Sequence, residues 1–332
     1  MATIREDWLS LTKEDIIDPY LIICDPHHHL WYDESIKYSV DDFLKDIGGG
    51  HRVIKTVFVE SRLMLKENTT LEMQPVGETE FVQNVVTQRP NRNEKIDVAA
   101  GIVGFADLTL GSAVENVLKA HISAGKGRFR GIRHICAWDQ SPEFKSRWNT
   151  PKGLLTDKNF REGFAHLSKY NLSFDAWLFH PQLMELADLA REFPETSIII
   201  NHVGGPLGIG PYARKQQEII KDWKRGIVQL SKHPNVSVKL GGLGMEICGF
   251  GWHKRSVPPN SSELAEIMAP YYLWCIEQFG AERCMFESNF PVDKRSYSYA
   301  VLWNAFKKIV KDLSDHDRCA LLRDTASRVY RL

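Results

Sequence analysis

The sequence predicts an α/β protein folded as a (β/α)8 barrel in one domain. Three observations predict it. About eight short apolar, β-branched segments recur along the 332 residues, nearly all separated by helical patterns. Strictly alternating strands and helices imply a parallel sheet, and the length is close to that typical of a closed eightfold barrel. The competing open, doubly wound sheet calls for a glycine-rich phosphate turn after the first strand. This chain places Asp25-Pro26-His27-His28-His29-Leu30-Trp31 there instead.

Taken in order, residues 1–20 read as an N-terminal surface arm, and 21–332 as the barrel domain. The apolar run Leu21-Ile22-Ile23-Cys24 is the first strand, leading into the three histidines. A helical pattern follows at 40–47. Residues 55–61 form the second strand, ending in Glu60-Ser61, and 78–88 an amphipathic helix. The third strand is 97–104 and its helix 110–124. Residues 130–134, Arg-Gly-Ile-Arg-His, make a short fourth strand before a helix at 160–170. The fifth strand, 172–179, is stopped by His180-Pro181, because proline cannot continue a ladder. A helix at 182–192 follows. The sixth strand, 196–200, runs into Asn201-His202-Val203-Gly204-Gly205-Pro206, and a helix spans 216–232. The seventh, 235–240, ends in Lys239-Leu240-Gly241-Gly242. After a long loop at 244–262 and a helix at 264–279, the eighth strand, 283–287, delivers Glu287-Ser288-Asn289. Helices at 297–313 and 317–330 close the chain.

Composition narrows the function. Hydrophobic residues make up 43% and charged residues 25%, ordinary globular values. Lys+Arg and Asp+Glu both number 42, so nothing favours a nucleic-acid or membrane-surface partner. Six scattered cysteines form no C-x-x-C pair, which excludes a zinc ribbon. The N-terminus lacks a signal-type apolar core, and no apolar run reaches membrane-spanning length. A soluble cytoplasmic protein acting on a small molecule is the expectation; a homo-oligomer is compatible with it.

In a barrel the chemistry sits at the C-terminal ends of the strands. Those ends carry His27 and His29, Glu60, Arg133 and His134, His180, Asn201 and His202, Lys239, Glu287 and Asn289. A polar or ionisable group at nearly every end is the main sign of an enzyme. Strand alternation puts His27 and His29 on one face and His28 on the other. Arg133 suits a carboxylate clamp, since guanidinium binds carboxylate with two prongs; Glu60 reads as a pocket carboxylate or a buried partner for an arginine, and it and Trp177 are assigned to the same substrate pocket. His134 alternates with Arg133 and is expected to be packed away. His180 divides evenly between ligand contact and turn packing. Asp175 and Lys239, inside apolar strands, read as structural partners. The Gly204–Pro211 run lacks the lysine and spacing of a phosphate loop and reads as a rigid rim. The Trp252-His253-Lys254-Arg255 segment reads as a lid, a solvated loop or an oligomer contact.

Taken as an ordered set, D-P-H-H-H-L-W at 25–31, G-E-T-E-F at 77–81, R-G-I-R-H at 130–134, L-S-F-D at 172–175, N-H-V-G-G-P at 201–206, K-L-G-G-L at 239–243 and S-N-F-P-V-D at 288–293 resemble the amidohydrolase superfamily, in its amidohydrolase-2, lactonase-like branch. The resemblance implies a distorted TIM barrel that hydrolyses lactones, or related esters and amides, of small organic acids. Neighbouring branches decarboxylate or hydrate aromatic and unsaturated acids, and a barrel that binds without reacting is a third reading. It implies His27, His29 and His202 as ligands of a divalent metal, zinc foremost, although the branch also resembles proteins that need none. The usual last-strand aspartate is Asn289 here. An amide cannot act as a base and is a weak metal ligand, so Asn289 would orient substrate or water, and the base falls to Asp293, Glu287 or His180.

Overall fold

The computed structural model describes residues 4–32, 37–88, 96–145 and 148–332. The first three residues of the expected arm, and part of the polar stretch after the histidines, lie outside them.

Eight parallel strands form one sheet in chain order. They are β1 (Ile22–His28), β2 (Arg52–Val59), β3 (Asp97–Gly104), β4 (Phe129–Arg133), β5 (Ser173–Ala176), β6 (Ile198–Ile200), β7 (Val236–Leu240) and β8 (Cys284–Phe286). The helices after them are α1 (Val40–Ile47), α2 (Val76–Thr87), α3 (Val114–Ala124), α4 (Lys158–Lys169), α5 (Leu183–Glu192), α6 (Gln216–Ser231), α7 (Ser261–Phe279) and α8 (Tyr299–Ile309). The first and last strands meet at their C-terminal ends. The Asn289 amide donates to the His27 carbonyl at 2.9 Å, and the His29 amide to the Phe290 carbonyl at 2.7 Å. The result is the predicted TIM barrel, nearly closed.

Local chemistry accounts for the helix starts. Ser39 and Asp42 form a capping box at α1, and Asn260 and Glu263 another at α7. The main core lies between strands and helices, and a second apolar cluster fills the barrel lumen: Cys24, Val57, Val59, Val103, Ile199 and Met285. Ala326, Val329 and Tyr330 from the chain end plug that lumen from below. The expected final helix at 317–330 is interrupted by a π-helical turn, Ala320–Asp324, which re-aims its last residues.

The first strand runs past its expected end, through Pro26. Pairing with β2 shifts register between Asp25 and His28, where proline has no N–H for the ladder. Strict alternation from the inward Cys24 would turn His28 into the lumen; the irregularity turns His27 there instead.

The N-terminal arm is bound down. The Trp8 indole donates to the Arg255 carbonyl (3.0 Å), and the Ser261 amide donates to the Glu14 carboxylate (2.7 Å). The 252–255 segment therefore packs against the arm. Among the described residues, no helix is long and apolar enough to cross a membrane.

Candidate active site

The strand ends surround a cavity of about 390 Å³. Its floor is polar: His29, Glu60, Ser61, Arg133, His202 and Asn289. Its walls are Trp31, Ile135, Trp148, Trp177, Met245 and Val292.

His27 and His29 share a face as alternation requires, with their Nε2 atoms 3.3 Å apart. The ring of His27 lies 4.6 Å from that of His202, centre to centre. Imidazoles from β1 and from the end of β6 thus converge. His28 points outward, stacked on Phe43 at 4.1 Å and bonded to Thr56 at 2.9 Å. His29 Nδ1 lies 2.8 Å from the Val59 carbonyl. A carbonyl only accepts, so that nitrogen carries the proton and Nε2 is left with its lone pair.

His202 is held by Glu287. Its Nδ1 lies 2.6 Å from Glu287 Oε1, and its backbone N–H donates to the same oxygen at 3.2 Å. The pairing fixes the proton on Nδ1 and leaves Nε2 as the lone-pair nitrogen of a residue that lines the cavity. Burial keeps His202 neutral, holding its pKa well below the ordinary value, with Arg133 and Lys239 adding to the effect. Burial pushes the Glu287 carboxyl up to about 8, against the pull of Lys239.

Two glycines make room for this pair. A Cβ on Gly241 would come within 2.3 Å of Glu287 Cγ, and one on Gly242 within 2.4 Å of His202 Cβ. That is the physical content of the K-L-G-G-L motif. The backbone is also strained here: His202 and Asn289 sit at φ +53° and +54°. Such conformations in non-glycine residues persist where the surroundings over-determine them, often at functional sites.

Asn289 donates from Nδ2 to Asp293 Oδ1 (2.9 Å). Asp293 also accepts from the Tyr297 hydroxyl (2.7 Å) and the Gly244 amide (3.1 Å). Asp293 therefore stands behind Asn289 rather than on the floor, and burial raises its pKa to about 7. The amide is pinned with its oxygen outermost; Asn289 Oδ1 is buried without a hydrogen-bond partner.

Arg133 spends two nitrogens on Glu60. Nε donates to Glu60 Oε1 at 2.7 Å and Nη2 to the Glu60 carbonyl, while Nη1 approaches His27 Nε2 at 3.4 Å. The guanidinium is thus already engaged by Glu60, one nitrogen on its carboxylate and one on its backbone carbonyl. Lys239 is buried against Asp175 (2.6 Å) and 3.3 Å from His27 Nδ1. Asp175 also accepts from Asn201 and from Tyr330, each at 2.9 Å. Its structural reading holds.

His180 is not on the cavity floor. Its Nδ1 accepts from the Leu207 amide at 3.3 Å and its ring meets Tyr212 edge-on, so it pins the rim loop. His134 packs beside Phe105 and Phe160. Trp177 forms a wall, edge-on to His202 at 4.7 Å.

The donor set also suits a divalent ion. His27, His202 and Glu287 each offer one ligand atom, all within 4.8 Å of one another. Glu287 Oε2 is buried without a hydrogen bond although it lies 2.8 Å from His27 Nδ1. Compared with the set expected from sequence, Glu287 enters and His29 stands alongside. Glu287 closes the eighth strand, so its position was readable as a strand-end carboxylate, but its partner 85 residues away was not.

A barrel with convergent imidazoles and carboxylates at its strand ends is an enzyme of the hydrolytic TIM-barrel class. The chain belongs to the amidohydrolase family, whose profile, described as Amidohydrolase, matches residues 24–332. It is 34% identical over 326 residues to the uncharacterized protein y4mH of Sinorhizobium fredii, covering 94% of this chain and 99% of the other. It is 23% identical over 318 residues to an L-fucono-1,5-lactonase of Burkholderia multivorans, covering 93% and 95%. Its fold matches a crystal structure of a B. multivorans amidohydrolase with bound zinc, with TM-score 0.71 and 20% identity over 94% of this chain and 99% of that one.

Proposed function

We propose that the protein opens a lactone, or a related cyclic ester, by adding water to its carbonyl. The observation that carries this reading is the His202–Glu287 pair, whose geometry leaves Nε2 free to take a proton. The similarity to an L-fucono-1,5-lactonase supports the reaction class.

The steps follow from the residues. The carbonyl sits on the floor beside Arg133 Nη1, the one nitrogen not engaged by Glu60, which stabilises the developing oxyanion. Asn289 Oδ1 accepts a hydrogen bond from the attacking water and aims it. His202 Nε2 takes the water's second proton, Glu287 stabilises the imidazolium, and the ring C–O bond breaks as His202 returns the proton to the leaving oxygen. Asp293 positions Asn289. Arg133 thus serves the carbonyl rather than clamping a carboxylate.

A second reading is favoured by Glu287 Oε2, buried without a hydrogen bond beside His27. A divalent ion held by His27, His202 and Glu287 would polarise the carbonyl as a Lewis acid. The ion and the proton-accepting role draw on the same lone pair of His202, so the two readings are alternatives. Acid release from a lactone panel, followed with a pH indicator before and after dialysis against a chelator, tests both. Activity that survives the chelator is expected; loss restored by zinc replaces the base reading with the ion. No acid release from any lactone, or carbon dioxide release from an aromatic acid, overturns lactone opening itself.

A further inference from the structure

The cavity is divided by chemistry. All its ionisable groups are on the floor, whereas Trp31, Ile135, Trp148, Trp177, Met245 and Val292 make the walls. Those six side chains carry no oxygen. Indole is a donor only, thioether sulfur a weak acceptor, and the aliphatic groups neither. A hydroxyl facing these walls would leave water without a side-chain acceptor. Among the described residues that line the cavity, Arg133 is the one cation, and Glu60 already pairs with it. The volume, about 390 Å³, lies in the ordinary range for a small ligand.

We infer that the substrate is an uncharged lactone whose body beyond the carbonyl is apolar, either alkyl-substituted or fused to an aromatic ring. This rests on the lactone-opening reading and sets the chain apart from its relative named for a hydroxylated sugar lactone. One hydroxyl next to the carbonyl is tolerable, because Asn289 Oδ1 and Glu60 Oε2 are acceptors without a hydrogen bond at floor level. Hydroxyls further out are not. An apolar pocket discriminates against one added hydroxyl by about a hundredfold, so two or more facing the walls select against a sugar lactone.

The test compares kcat/KM for a 5-alkyl-δ-valerolactone and for glucono-1,5-lactone, each divided by its hydroxide-catalysed rate. A preference of about a hundredfold or more for the alkyl lactone is expected. Equal or better turnover of the sugar lactone overturns the inference while leaving lactone opening intact. In parallel, quenching of tryptophan fluorescence by the matching δ-lactams, which do not turn over, reads the walls independently of any reaction. If no lactone is opened yet the alkyl lactam binds at least tenfold tighter than its hydroxylated counterpart, the reaction is wrong and the apolar selection stands. If it does not, both fall. Met245→Gln places an acceptor on the wall and should narrow the preference at least tenfold; an unchanged ratio counts against the walls as the cause.

Discussion

Replacing Glu287 by glutamine removes a charge and keeps the shape. The carboxylate lies 2.6 Å from His202 Nδ1 and is fully buried. In the proposed reaction it faces an imidazolium that exists only after His202 has taken the proton. At roughly 4 Å between charge centres and an effective dielectric near 20, their attraction is about 4 kcal/mol. Losing it should lower kcat about a thousandfold while KM moves little, the signature of an interaction made only in the transition state. The pH profile gives a second, independent reading. Burial raises the Glu287 pKa to about 8, so kcat/KM should climb with pH up to that value, as the carboxylate forms. Glu287→Gln should erase that limb. Stability checks the sign. A carboxyl with a raised pKa holds its proton in the folded state, so the wild type loses stability relative to the variant from its ordinary 4.5 up to about 8. The assay is steady-state hydrolysis from pH 5.5 to 9, with urea denaturation of both proteins. A variant within tenfold of wild-type kcat that retains the alkaline rise would refute the pairing of Glu287 with the base.

Asn289→Asp restores the residue common in the superfamily but places a second carboxylate 2.9 Å from Asp293. It should cost about 3 kcal/mol of stability by urea titration, the scale of an uncompensated buried charge, and should not raise activity. Gly242→Ala should fold yet lose at least a hundredfold in kcat/KM, because its Cβ meets His202 at 2.4 Å; activity within threefold of wild type would show that His202 need not sit where it does. The buried histidines should each make an acid-labile contribution. Burial lowers His28 and His134 to about 3, and His51, His121 and His180 to about 4, from 6.5. These groups stay neutral in the folded state while the unfolded chain takes up protons, so stability present above pH 6.5 is lost as pH falls toward their folded values. At pH 5.5 each costs about 1 kcal/mol, while the buried carboxyls of Glu287, Glu78 and Asp293, raised to about 8, 8 and 7, gain stability over the same range. His121→Gln should therefore lose about 1 kcal/mol less than wild type between pH 7.5 and 5.5 by urea denaturation, and equal losses would contradict that burial.

The barrel was legible because its signal is local. A strand or helix announces itself by a period that a short window contains, and the eight strand ends then fall out in order. The facing of His27 and His29 was legible for the same reason, although it depends on an irregularity at Pro26 that alternation alone does not supply. What stayed hidden are pairings set by tertiary contact. Glu60 reads as a pocket carboxylate or an arginine's partner and is both, but nothing local says that the arginine is Arg133, 73 residues on. Asp293 reads as a base, but three donors converge on it and hold it behind Asn289. Gly241 and Gly242 read as a turn; their role is the space they leave for two side chains from β6 and β8. No local period encodes any of these.

The layer beneath the site explains why neutral imidazoles can serve in it. Burial keeps His27 from taking a second proton, and Lys239 near one ring nitrogen and Arg133 near the other add to the effect. The cations stay because each is paired, Lys239 with Asp175 and Arg133 with Glu60. Asp175 is completed from below by the Tyr330 hydroxyl, delivered by the chain end that plugs the lumen. Buried charges are tolerable only when paired and hydrogen-bonded. Removing Lys239 or Arg133 would move proton affinity onto the imidazoles, where the proposed reaction requires lone pairs, and removing Asp175 or Glu60 would leave a buried cation unmatched. The C-terminal Tyr330, through Asp175 and Lys239, is therefore part of what keeps the imidazoles neutral.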